Sequence, residues 1–393
     1  MQTDVIVVGA GPAGSTAARE SAARGARVLL LDRARFPRDK PCGGGVTVRC
    51  ARLLPFDLSP VVEQVVTGAH LRLRDGRHVT RDYPRALTYL TQRSRLDAFL
   101  VERACEAGVE FRDGQVVRRV TALGGGYAVE ANGERHLARV VVGADGANGV
   151  VAGVLGFERP PQAAVALEGN WPCPQGVPEW LRGRVALQFG KIPGGYGWLF
   201  PKGDHVNLGV GGWQPIAGPT LRRSLDELCR AYQLDPAALV AVRGHHLPMQ
   251  RPGARVAAGG AALVGDAAGL VDPLSGEGIY HAVASAAALA PAVDDYLAGR
   301  AGSLAGYELT LQRELLPELA ASRALMEIFH AWPDPFTALF QRSDRLWGAL
   351  CRVLTGEQSL DGIVRAASGP LAATLEPLAA LSRCVNALRY GPR

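Results

Sequence analysis

Asp4-Val5-Ile6-Val7-Val8-Gly9-Ala10-Gly11-Pro12-Ala13-Gly14 opens the chain almost at once, and the residues up to Arg33 extend the same pattern. Its first five residues are a short, largely β-branched run that reads as a strand buried on both faces. Ser15 to Arg24 is Ala-rich and helical in composition. Gly25 ends that helix, and Val28-Leu29-Leu30-Leu31 is a second buried strand that stops at Asp32. Strand, glycine turn, helix and strand together make a dinucleotide fingerprint in its proper context. Gly9 allows the tight turn, Gly11 lets a pyrophosphate approach the backbone, and Gly14 lets the helix close onto the strand. The helix N-terminus offers N–H groups and partial positive charge to the phosphates. Asp32, ending the second strand, is placed to accept hydrogen bonds from an adenosine ribose.

The rest of the chain sets the frame for that unit. Its 393 residues allow two or three domains and a large core. A hydrophobic content of 48% with 20% charged residues describes a soluble globular protein rather than a disordered one. No uninterrupted apolar run reaches the ~18 residues of a membrane span, and the N-terminal run reads as a strand rather than a signal peptide. The expected location is cytoplasmic, with peripheral contact to the inner membrane face left open. The net charge of +6 comes almost entirely from arginine, because lysine occurs only at Lys40, Lys191 and Lys202. These charges are scattered, which fits a solvated basic surface and not nucleic-acid binding. Seven cysteines without a C-x-x-C pair suggest reduced thiols, with neither a metal site nor a disulfide frame.

Ala34 to Thr47 holds two prolines and the run Gly43-Gly44-Gly45, so it is neither a packed helix nor a central strand. Such a run suits a flexible connector, or a backbone lying flat against something large and planar; with a cofactor already implied, we favour the second. Val61 to Tyr83 alternates in strand fashion around a turn at Asp75-Gly76, and a helix follows from Ser94 to Glu106. Gly124-Gly125-Gly126 and Asn132-Gly133 turn a small β ribbon, and Arg139 to Gly143 is another buried strand. A ribbon interrupting a nucleotide-binding unit is typical of flavin-binding variants. Pro160 to Arg255 changes texture to Pro, Gly, Trp and β alternation around Tyr196-Gly197-Trp198-Leu199-Phe200-Pro201. Ala261 to Val264 returns to the first unit, and Ile279 to Tyr296 is a long helix of small residues. Beyond Gly299 the chain reads as helical.

Three separated motifs now line up: G-A-G-P-A-G with Asp32, G-A-D-G at Gly143 to Gly146, and G-D-A-A-G with P-x-x-G-x-G at Pro273 to Gly278. The set resembles the FAD-dependent proteins built like p-hydroxybenzoate hydroxylase. Phe36-Pro37-Arg38-Asp39-Lys40-Pro41-Cys42-Gly43-Gly44 and Tyr196 to Pro201 look like the signature segments of the geranylgeranyl reductase family. The implied fold is α/β: a Rossmann-like FAD-binding domain of the glutathione reductase and p-hydroxybenzoate hydroxylase type, an inserted antiparallel β-sheet substrate domain, and a C-terminal helical region. The expected division is 1–60, 84–160 and 256–300 for FAD, 61–83 and 161–255 for substrate, and 301–393 for the helices.

Carried over residue by residue, the resemblance implies that Gly9, Gly11, Pro12, Ala13 and Gly14 hold the pyrophosphate. Asp32 and Arg33 would flank the adenosine ribose, Arg93 the ribityl–phosphate region, and Val117 the adenine. Cys42, Gly43, Gly44, Asp145, Gly146 and Asp266 complete the expected cofactor contacts. Pro273, Gly276, Gly278 and Ile279 would present a helix N-terminus to the flavin N1/O2 edge. The serine and arginine usual after the G-A-D-G turn are replaced by Gly149 and Ala152, a region that helps the hydroxylases bind NADPH. The external reductant therefore stays open between NAD(P)H and a ferredoxin-like donor. The implied reaction is hydride transfer from reduced flavin to an isolated isoprenoid C=C bond, which calls for an apolar tunnel that excludes water. Tyr196, Trp198 and Phe200 alternate, so on a strand they share one side and are the expected substrate contacts. Cys42, Tyr196 and Trp198 are the expected catalytic residues. The alternative on the same fold is a flavin-dependent monooxygenase or halogenase acting on an aromatic or apolar substrate.

Overall fold

A computed structural model describes residues 3–249, 253–366 and 370–390. At its centre Val5–Val8 is buried in a six-stranded sheet, flanked in parallel by Val28–Leu31 and Val140–Gly143. Val5 pairs with both Val28 and Val140, so three apolar strands run in register and every one of their side chains has a covered face to enter. Ala261–Leu263 and Glu110–Arg112 extend the sheet in parallel on either side, and Ala257–Ala258 closes one edge antiparallel. Helix Pro12–Ala22 starts on a proline, whose missing N–H costs nothing at a helix start, and packs its alanines against Ile279–Leu297 and Arg93–Glu106. At Gly14 a Cβ would lie 1.7 Å from the Gly9 carbonyl oxygen, so only glycine lets this helix close on its strand.

The strands Val117–Leu123, Gly126–Ala131 and Glu134–Ala138 form the antiparallel ribbon. A second, seven-stranded sheet runs in the order Val240–Pro248, Gln162–Pro172, His205–Trp213, Tyr196–Pro201, Arg184–Phe189, Gly68–Arg72, His78–Asp82. Its neighbours are antiparallel except Arg184–Phe189 beside Gly68–Arg72. Its two faces differ in kind, as alternation demands. Leu199, Leu208 and Val210 point to one side, where Leu225 and Leu228 of helix Leu221–Ala231 cover them. The other side carries Glu168, Asn207, Trp198 and Phe200, and it faces the glycine loop after Lys40. Val62–Val66 joins neither large sheet; it pairs with Thr88–Thr91, which also pairs with Gly45–Thr47, in a small sheet between them. Helices from Ala305 to Tyr390 close the molecule, and Leu316–Ala331 packs along Pro370–Tyr390.

Candidate cofactor and substrate site

Gly9, Asp32, Asp145 and Asp266 all lie just beyond the C-terminal ends of parallel strands, the edge where open α/β sheets bind ligands. Asp32 is nearly buried, and its carboxylate accepts the N–H of Ala10 at 2.7 Å and of Ala34 at 2.8 Å. That pins the glycine turn and leaves lone pairs for a ribose. Over the turn sit two guanidinium groups held by one carboxylate: Arg93 pairs bidentately with Asp97 at 2.7 and 2.8 Å, and Arg38 reaches Asp97 at 2.7 Å. A Cβ on Gly11 would stand 3.6 Å from Arg38 and 3.9 Å from Arg93, in the space between turn and cations. Arg38 also comes within 3.8 Å of Asp32, and the two guanidinium groups above an uncapped helix N-terminus suit a pyrophosphate. Val117 is buried at the start of its strand, tied to this end by the Gln115 N–H donating to the Asp32 carbonyl. Arg33 is exposed beside it.

Asp266 receives Lys40 Nζ at 3.0 Å with His245 Nε2 at 3.7 Å. Burial opposes its charge, but Lys40 and His245 overcome this and hold the carboxyl well below the usual range. Next to it the turn Pro273–Gly278 is shaped by Asp272, which accepts the N–H groups of Leu274 and Ser275. Gly276 adopts φ +70°, and helix Ile279–Leu297 starts there without a side-chain cap. One oxygen of the Asp145 carboxylate accepts the N–H groups of Val150 and Val151 at 2.6 and 2.9 Å, and its other oxygen is buried without a hydrogen-bond partner among the described residues. This explains Gly149, where a Cβ would lie 2.3 Å from that carboxylate.

The glycine loop meets the second sheet. Cys42 donates its N–H to Glu168 Oε1 at 2.7 Å, and Lys202 Nζ donates to the carbonyls of Gly43 at 2.7 Å and Thr91 at 2.9 Å. Gly44 has φ +66°, and its Cβ would strike the Thr91 carbonyl at 2.1 Å. A Cβ on Gly43 would lie 2.7 Å from the Phe200 ring, so in this structure the flat partner of the loop is Phe200. Tyr196, Trp198 and Phe200 do form a row, with ring centroids 6.1 and 6.4 Å apart. Phe189 and then Phe329 of helix Leu316–Ala331 continue it. The Tyr196 hydroxyl donates to the Ser275 carbonyl. Trp198 donates to Asn207 Oδ1 at 2.9 Å, while its ring lies flat over Gly209. The polar hydrogens of both are taken by protein acceptors, which suits them as walls.

Comparison with known proteins agrees with this geometry. Residues 2–173 match the family described as FAD binding domain. A geranylgeranyl diphosphate reductase from Rhodobacter capsulatus is 35% identical over 72% of this chain and 72% of its own. This chain belongs to the geranylgeranyl reductase family of FAD-dependent oxidoreductases. A menaquinone reductase from Mycolicibacterium smegmatis is 33% identical over 71% of this chain and 73% of its own. The crystal structure of a geranylgeranyl bacteriochlorophyll reductase-like protein from Thermoplasma acidophilum shares the fold, with a TM-score of 0.75 at 22% identity over 96% of this chain and 99% of that one.

Within this geranylgeranyl reductase family member, four site residues escaped the sequence reading: Arg38, Lys40, Glu168 and Lys202. A signal existed for three of them. Lys40 and Lys202 are two of only three lysines in a chain that uses arginine elsewhere, and both act as compact ammonium groups in confined places. Glu168 is the sole charged residue in the strand Gln162–Pro172. Arg38 lay within the quoted signature segment without a role of its own.

Proposed function

We propose that this protein hydrogenates isolated C=C bonds of an isoprenoid, geranylgeranyl-type chain carried on a lipid or a prenyl diphosphate. The carrying observation is the row Tyr196, Trp198 and Phe200, which lines the sheet beside the Cys42 loop and the Ser275–Gly276 turn with the Tyr196 and Trp198 hydrogen-bond donors engaged inside the protein. A wall of that kind suits a substrate without polar groups, whereas a phenolic substrate calls for donors and acceptors. The names of the relatives support the same class. FAD, when bound and reduced, supplies the hydride. Gly9, Gly11, Pro12, Ala13 and Gly14, with Asp32, Arg38 and Arg93, would hold its ADP portion; Lys40, Asp266 and the Gly276–Gly278 turn would hold the flavin side. Gly146 borders that site at the end of the Val140–Gly143 strand. The aromatic row positions the alkene and keeps water away from it, and the Cys42 loop covers the exchange of hydride and proton. The two electrons come from a nicotinamide as a hydride, or singly from a ferredoxin-like protein.

Peripheral membrane contact belongs to this proposal. Among the described residues no helix is long and apolar enough to cross a membrane. Helix Pro370–Tyr390, however, buries Ala379, Ser382 and Asn386 while exposing Leu378, Leu381 and Leu388.

The test is anaerobic. The yellow protein is reduced with dithionite, geranylgeranyl diphosphate or a prenylated lipid is added, and flavin reoxidation is followed alongside mass spectrometry of the lipid. A gain of two hydrogens per reduced bond is the expected result. Flavin that stays reduced until air is admitted, and then reoxidises fast only with an aromatic present, would instead establish the monooxygenase alternative.

A further inference from the structure

We propose that Glu168 is the acid of the reaction: its carboxyl gives a proton to the alkene carbon that does not receive the hydride. This rests on the isoprenoid-reductase reading. Glu168 lies in one row with Gly209 and Trp198 across three neighbouring strands, Glu168 pairing with Gly209 and Gly209 with Trp198. Gly209 has no side chain and carries only the flat Trp198 ring, so the carboxyl stands at the edge of the aromatic wall. One oxygen accepts the Cys42 N–H at 2.7 Å, which fixes the carboxyl against the loop that borders the cofactor. The step balances. The hydride brings two electrons to one carbon, the Glu168 proton completes the other, and the carboxylate left behind is reprotonated from water. The reduced flavin is the reductant, and a nicotinamide, or a ferredoxin-like protein in two one-electron steps, recharges it.

The surroundings favour a carboxyl that keeps its proton near neutrality. Burial pushes Glu168 up to about 7, against the opposing pull of the Cys42 N–H, the Asn207 amide and Lys202. Lys202 is itself pushed down to about 8 by burial, and as an ammonium near neutrality it pulls against the neutral form of Glu168 without outweighing burial. Asp39 faces Glu168 from the loop and favours its neutral form. Arg243, opposite in register on the strand Val240–Pro248, is paired with Asp39. Arg93, on the far side of Cys42, is neutralised by Asp97. An acid of this strength is matched to proton transfer near pH 7.

The decisive comparison is wild type against Glu168→Gln, in flavin-loaded protein. Glutamine keeps an oxygen for the Cys42 N–H but has no proton to give, so it separates holding the loop from acid catalysis. Expected are a wild-type turnover that falls as pH rises through about 7, and a Glu168→Gln turnover lower by at least about 100-fold with that limb gone and KM little changed. Glu168→Asp should bring the limb back at reduced rate. Infrared spectra with carbon-13 in the glutamate carboxyls give a readout apart from activity: a protonated-carboxyl band that titrates away over the same range in wild type and is missing in Glu168→Gln. Wild-type turnover in Glu168→Gln overturns the proposal alone, as does a limb that vanishes in Cys42→Ala but persists in Glu168→Gln, which would name the thiol as donor. A wild type inert toward every isoprenoid overturns the reductase reading, and the Glu168 assignment falls with it.

Discussion

Gly11 and Gly14 stand three residues apart in one motif, yet the space around them assigns them different duties. At Gly14 a Cβ would collide with the Gly9 carbonyl at 1.7 Å. At Gly11 it would meet only guanidinium tips at 3.6 and 3.9 Å, an ordinary contact. Gly11→Ala should therefore fold normally and hold FAD about tenfold more weakly or worse, a loss of about 1.4 kcal/mol, because the methyl occupies the anion's place. Gly14→Ala should lower stability by about 1–3 kcal/mol or more through overpacking. Flavin titration and thermal unfolding of the two variants check this, and equal flavin affinity in Gly11→Ala and wild type would refute the pyrophosphate site. The local parts of the site were readable because a turn, a helix start and an acid at a strand end are neighbours in sequence. Glu168 was not, since its partner Cys42 lies 126 residues away and no local rule links them. The direction of the Asp145 carboxylate was hidden for the same reason: its place after a strand is visible in the sequence, but its direction depends on the turn that Gly149 permits.

Between elements, Arg49 ties three together. It lies in the short helix Val48–Ala51 after the small-sheet strand Gly45–Thr47, and is almost fully buried. It pairs with Glu277 at 2.6 Å and with Glu318 at 2.5 Å while stacking over Tyr280 at 3.9 Å. Glu277 sits in the turn before helix Ile279–Leu297, and Glu318 in the first turn of Leu316–Ala331. One guanidinium thus fixes the cofactor-side turn against the C-terminal helices. Arg49→Met should cost about 3–5 kcal/mol, because it leaves two buried carboxylates facing each other. Adding Glu277→Gln and Glu318→Gln should recover most of that loss in chemical denaturation. A triple variant no more stable than Arg49→Met would show that lost packing, not charge, was responsible. Most elements themselves were legible from periodicity, including the helix at Arg93–Glu106 and the strand at Tyr196–Pro201. Their partners were less so. The parallel pairing of Arg184–Phe189 with Gly68–Arg72 spans more than a hundred residues, and the transfer of Val62–Val66 to the small sheet follows from contacts with Thr88–Thr91 that alternation cannot show.

For the whole molecule, an apolar substrate has to reach a row of aromatics in which Trp198 is buried and Tyr196 and Phe200 are half-buried. Helix Pro370–Tyr390 bears on that approach. Asn386 donates to the Glu327 carbonyl at 2.9 Å on the inner side, while Leu381 and Leu388 are 56% and 89% exposed on the outer side, with Arg383 and Arg389 beside them. Leu375 packs inward as expected of a soluble helix, so the exposed Leu378, Leu381 and Leu388 are the basis for proposing an apolar medium against the outer face. The chain's net charge of +6 favours an anionic surface over a second copy of itself. Wild-type protein should co-sediment with phosphatidylglycerol-containing vesicles, more weakly as salt rises, and far less with vesicles of phosphatidylcholine alone. Replacing Leu381 and Leu388 with glutamate removes two exposed side chains whose burial in lipid would be worth about 1.5–3 kcal/mol each and adds charges repelled by anionic lipid, so binding should fall at least about 100-fold. Flavin content and turnover on a detergent-dispersed substrate should be unchanged, because neither leucine touches the site. Equal vesicle binding by the folded double variant would reject this helix as the membrane contact, and a change in oligomeric state with the vesicle binding kept would show that a second copy covers it instead.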